Sequence, residues 1–62
     1  MNKEAVLKRM NKQGDKQVWQ KDGTRTLVAH FESWKLTPDN RTLILKDNSI
    51  KIGEIIKISV MR

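Results

Sequence analysis

Asp22-Gly23 lies between two runs in which apolar and polar residues alternate, and this dipeptide commits that part of the chain to antiparallel β structure. Glycine takes positive φ without steric cost, so Asp-Gly is suited to a two-residue type I′ turn whose twist matches the strands on either side. A two-residue turn at 22–23 would set Lys21 opposite Thr24, Trp19 opposite Thr26 and Val18 opposite Leu27. The last pair puts two aliphatic side chains on one face, as a buried face requires.

The alternation continues downstream. A long second strand is expected over 24–36, with Leu27, Ala29 and Phe31 on one face. Trp34 and Leu36 have the opposite parity, so a bulge near Glu32-Ser33 is needed to bring both sets inward. Thr37-Pro38-Asp39-Asn40 is a turn, because proline presets φ while Asp and Asn satisfy local backbone groups. A third strand over 41–46 then places Leu43 opposite Trp34. Asp47-Asn48 makes a further two-residue turn pairing Leu45 with Ile50 and Lys46 with Ser49. Ile50 and Ile52 give a fourth strand, Gly53-Glu54-Ile55 a 3₁₀ turn, and Ile56, Ile58 and Val60 the inward positions of a fifth.

Residues 2–13 have a different period. Asn2 is suited to cap a helix in which Val6, Leu7 and Met10 share one face and Lys8, Arg9 and Lys12 the other, with Gly14 as the stop. The expected fold is therefore mostly β with one N-terminal helix. It is a single domain over 1–62, with a five-stranded small SH3-like or Sm-like antiparallel barrel over 17–61. An open curled sheet crossed by the helix is the other arrangement the pattern allows.

Three segments carry a likeness to known families: Trp19 with Asp22-Gly23, the stretch from Thr37-Pro38-Asp39-Asn40 through Arg41-Thr42-Leu43-Ile44-Leu45, and Ile50-Lys51-Ile52-Gly53-Glu54-Ile55-Ile56-Lys57-Ile58. Over 16–60 the chain resembles the Sm-like barrels and, more loosely, the YolD-like proteins of Bacillus-type bacteria and their phages. Its Lys- and Asn-rich composition is similar to that of small phage accessory proteins. The resemblance implies a barrel. Sm-like chains usually carry a glycine in the middle of the bent second strand, and 27–36 contains none.

Sixty-two residues without cysteine must rely on one small core, with no disulfide or thiolate metal site to help. Absence of cysteine fits a reducing compartment, and a cytoplasmic location is expected. No apolar run approaches the length of a membrane span and no signal core follows Met1, so no membrane partner is expected. Thirteen Lys and Arg against seven Asp and Glu give a net charge of +6, which favours an anionic partner and also keeps a small monomer or small homo-oligomer soluble.

Catalysis finds little support. His30 is the only histidine, and a general base or metal ligand needs partners that no motif supplies. Asp15, Asp22, Asp39 and Asp47 all fall in turns, where Asp is favoured for local hydrogen bonds, and the three glycines form no phosphate loop. No catalytic group, metal or cofactor is expected. The candidate binding residues are the outward cations: Lys46, Lys51 and Lys57 on the last strands, Lys35 and Arg41 flanking the Pro38 turn, and Lys8, Arg9 and Lys12 on the helix. Such positions are often lysine simply because they are solvated or protect a sheet edge. Trp19, opposite in parity to Val18, either offers a stacking surface or packs under the helix against Val6, Leu7 and Met10. DNA or RNA bound through these cations with low sequence specificity is the first expectation. An acidic protein surface, met through an open strand edge or the helix face, is the second.

Overall fold

The computed structural model describes residues 1–61. Helix α1 spans Lys3–Met10, and the Asn2 side-chain oxygen accepts the Ala5 N–H at 2.8 Å, which satisfies one of the donors a helix start leaves free. Val6 and Met10 are buried on its inner face. The helix ends at the Asn11 cap, short of the expected residue 13, and Gly14 (φ +110°) instead turns the chain into the first strand.

Six strands follow: β1 Asp15–Gln20, β2 Arg25–Val28, β3 Lys35–Leu36, β4 Thr42–Ile44, β5 Ser49–Lys51 and β6 Ile55–Met61, with a 3₁₀ turn at Ile52–Glu54. They form two three-stranded antiparallel sheets, ordered β2-β1-β6 and β3-β4-β5, and neither closes into a barrel. The expected long second strand is interrupted. β2 stops at Val28, a turn closed by Glu32 N–H on the Ala29 carbonyl follows, and the Asp15 carboxylate accepts the His30 N–H at 2.8 Å. Backbone groups that would continue a strand are thus satisfied elsewhere.

The first hairpin differs from expectation by one residue. Gln17 faces Leu27, Val18 faces Thr26 and Trp19 faces Arg25. Gly23 donates to the Gln20 carbonyl and has φ +88°, whereas Asp22 is not in the positive-φ region, so the loop is a three-residue turn ending in a left-handed glycine. A one-residue slip turns every side chain of the strand over. Val28 is therefore buried, while Leu27 and Phe31, expected inside, are 61% and 79% exposed.

The later turns also differ, by two residues each. Leu36 faces Leu43 in place of Trp34, and Leu43 faces Ile50 in place of Leu45. Both corrections keep the parity, so Leu43, Leu45 and Ile50 are buried and Trp34 packs against them. At 37–40 the loop is held by Asn40, which adopts φ +60° and donates to the Thr37 carbonyl. In β6 a bulge changes the alternation: Trp19 pairs with Lys57 but Gln20 with Ile55, so Ile56 is the extra residue. Ile55 turns inward with Ile58, and Ile56 is exposed.

One core joins the two sheets and the helix: Val6, Met10, Val18, Val28, Leu43, Leu45, Ile50, Ile55 and Ile58. Lys16 is also buried. Its stem lies on the inner parity of β1 and its Nζ donates to the Gly14 carbonyl at 2.9 Å, an instance of a lysine packing its methylenes while the head finds an acceptor. Because inner faces meet at this core, the outer faces of the two sheets carry separate sets of side chains.

Candidate nucleic-acid interface

The observed register builds a cross-strand row on the outer face of the first sheet: Arg25 on β2, Trp19 on β1 and Lys57 on β6. The Arg25 guanidinium carbon lies 5.0 Å from the centre of the Trp19 ring and the Lys57 Nζ 6.0 Å from it. A ring quadrupole attracts cations at this range, Arg more strongly here than Lys. Trp19 is half-buried between them. It does not pack under the helix: the apolar side chains that support the core are Met1, Trp34, Leu36 and Ile52. The indole Nε1 is buried and has no acceptor among the described residues, so flanking cations and packing hold the ring.

The electrostatics follow from how the acids are used. Asp15 accepts from the His30 backbone N–H and lies 3.1 Å from His30 Nδ1. Asp22 accepts the Thr24 N–H at 2.9 Å, and Asp39 accepts the Thr37 hydroxyl and the Arg41 N–H. Among the described residues the only carboxylate with a basic side-chain nitrogen within 4.0 Å is Asp15, beside His30 Nδ1, so no described Lys or Arg has a carboxylate within that distance. With no described carboxylate within 4.0 Å, the Lys and Arg side chains are uncompensated, which suits them to an external anion.

These hydrogen bonds hold all three carboxyls below their ordinary value of 3.8. For Asp15 the His30 N–H is the main cause, for Asp22 the Thr24 hydroxyl, and for Asp39 the Thr37 hydroxyl. A folded pKa below the unfolded one means that the unfolded chain binds protons first as pH falls. The stability is present above 3.8 and is lost as pH drops through the folded values. The urea midpoint is therefore expected to decline below about pH 4, and Asp39→Asn should flatten that decline. An acid limb unchanged by this substitution would remove Asp39 from the account.

The remaining candidates lie in several places. Lys8 and Arg9 are exposed in the last turn of α1, where positive charge complements the helix dipole. Arg9 shares a groove with Lys57 along β6. Lys12 lies past the helix end beside Gln13, Gly14 and His30. Lys35, opposite Ile44, and Lys51, opposite Thr42, belong to the outer face of the second sheet. Lys46, in the loop after β4, meets Lys35 around a hollow that includes Trp34. Arg41 precedes β4, and its carbonyl accepts the Ile52 N–H.

Lys57 is thus gathered with Trp19 and Arg9, and Lys35 with Lys46, while Lys51 lies on the other sheet from Lys57. Arg25 joins the site only through the observed register, since a two-residue turn sets Thr26 opposite Trp19 in its place. Among the described residues, no three of His, Asp and Glu come together as a metal site, and no helix is long and apolar enough to cross a membrane. No protein-family model, curated protein or solved structure matches this chain.

Proposed function

We propose that the chain is a small, non-catalytic binding domain that holds DNA or RNA through the Arg25–Trp19–Lys57 face, with low sequence specificity. The observation that carries this reading is an aromatic ring flanked across three strands by two exposed cations that have no carboxylate partner among the described residues. Guanidinium and ammonium groups neutralise backbone phosphates, and an indole offers a surface on which any base can stack. Neither contact reads a base edge, so sequence discrimination is weak. Lys12 and Arg9 extend the positive field toward the helix. Lys35, Arg41, Lys46 and Lys51 form a second basic region on the other sheet, and Lys8 adds charge on the helix surface.

We also read the two sheets as halves of an SH3-like barrel opened at 29–34. What supports this is that β2 leads to β3 through that segment and β5 to β6 through the 3₁₀ turn, the places where such a barrel bends.

The test is the salt dependence of binding to a labelled oligothymidylate, followed by fluorescence anisotropy. Each phosphate neutralised on a single strand contributes a slope of about −0.7 in log affinity against log salt, so Arg25→Gln with Lys57→Gln should reduce the slope by about 1.4. Trp19→Ala should weaken binding by about 1–3 kcal/mol if a base stacks there. If the slope is unchanged in the double variant and falls in Lys35→Gln with Lys51→Gln, binding belongs to the second sheet.

A further inference from the structure

β6 forms one edge of the first sheet. At seven residues it is the longest strand, yet it lies at the margin of its sheet with β1 as its only strand partner. Edge strands are usually short, broken by proline or studded with charge. Ile55–Met61 contains no proline, and Lys57 is its only charged side chain.

Helix α1 packs beside this strand. At one end the Met1 ammonium donates to the carbonyls of Ile52 and Ile55, at 3.2 and 2.7 Å. At the other end Gly14 abuts the Met61 carbonyl. The helix therefore runs alongside the strand and leaves a groove lined by Met1, Arg9, Ile56, Lys57 and Ser59. Ile56, displaced outward by the bulge, is 58% exposed there. Among the described residues the groove has three cations, the Met1 ammonium, Arg9 and Lys57, and no carboxylate.

We propose that this groove binds an extended acidic peptide segment, which adds to β6 as a further antiparallel or parallel strand. Main-chain hydrogen bonds to the open edge supply affinity, and alternate side chains supply the choice of sequence. An aliphatic residue covers Ile56, and Glu or Asp on the helix side meets Arg9. A second copy of the chain is disfavoured as occupant because each carries a net charge of +6. A nucleic-acid backbone carries phosphates but lacks the alternating N–H and C=O pattern that a strand edge pairs with. The inference does not rest on the nucleic-acid reading: Lys57 and Arg9 are common to both, but the strand edge is separate from the Trp19 ring, which does not line the groove.

The probe is an alternating Glu-Val hexapeptide titrated into the ¹⁵N-labelled protein, with hydrogen exchange read at each β6 amide. Alternate β6 amides are expected to shift and gain protection. Methylating the peptide's own backbone nitrogens on its pairing edge should weaken binding by about tenfold or more, as should Arg9→Glu; since Arg9 also adds to the positive field beside Trp19, oligothymidylate binding is measured on the same variant. A circular dichroism spectrum matching the parent would show that Arg9→Glu folds. Equal binding of the methylated peptide would overturn strand addition. So would protection of the same amides by protein concentration alone, or by oligothymidylate in place of the peptide.

Discussion

Leu43→Ala is expected to bring the chain close to unfolding at 25 °C, while Leu27→Ala melts with the parent. Leu43 is fully buried, at the centre of β4, opposite Leu36 on one side and Ile50 on the other. Removing a buried leucine to alanine costs about 2–5 kcal/mol, the lost transfer energy plus the cavity left behind. A chain of 62 residues has roughly 3–9 kcal/mol of total stability to lose, at about 0.05–0.15 kcal/mol per residue. Leu27 is 61% exposed, and surface substitutions away from special features usually stay within about 0.5 kcal/mol. Urea unfolding followed by circular dichroism checks both. A Leu27→Ala cost as large as that of Leu43→Ala would restore the register with Leu27 inside and remove Arg25 from opposite Trp19.

That contrast also marks what the residues of this chain can and cannot disclose. Errors of two residues at the 37–40 and 47–48 loops leave the core intact, because side chains alternate with period two and the parity survives. The first hairpin is different. Thr26-Leu27-Val28-Ala29 carries apolar residues of both parities, so alternation does not choose between Leu27 and Val28. Loop length decides, and Asp22-Gly23 is the signature of a two-residue turn and equally of a longer one ending in a left-handed glycine. The bulge at Ile56 is hidden for a similar reason, since Ile55, Ile56 and Ile58 are interchangeable in hydropathy. Lys16 is hidden because its burial depends on one acceptor, the Gly14 carbonyl, which only the folded chain supplies.

The site inherits these limits. The outward parity of Trp19, next to Val18, and of Lys57, next to Ile58, is readable from alternation, which leaves open whether Trp19 packs under the helix. Arg25 is not readable, because its place beside Trp19 depends on the one-residue difference in the hairpin. The division of Lys51 and Lys57 between two sheets is also out of reach of pattern reading, which sees outward positions but not which outward faces adjoin. The helix, the β-rich remainder and most core positions need only period and cap chemistry, and these are local.

Gly14→Ala is expected to destabilise the fold by about 2 kcal/mol or more, against about 1 kcal/mol for Gly23→Ala. Both glycines have positive φ, +110° and +88°, which an L side chain rarely adopts. They differ in what a Cβ would meet. At Gly23 nothing lies within 4 Å, so the cost is conformational alone. At Gly14 the added carbon presses on the backbone carbonyl oxygen of Met61, which cannot rotate away as a side chain could. Asp15 pairs with Met61 at this end of the sheet, and the Gly14 carbonyl holds the buried Lys16 Nζ. Relief would have to shift the end of β6 or the acceptor of a buried cation. For a domain of this size each kcal/mol lowers the melting temperature by roughly 4–8 °C, so Gly14→Ala should melt at least ~8 °C below the parent. The gap between the two alanine variants measures the close approach of α1's exit to β6. Equal melts would mean that Met61 does not lie against Gly14, and the groove proposed along that strand would lose its closed end.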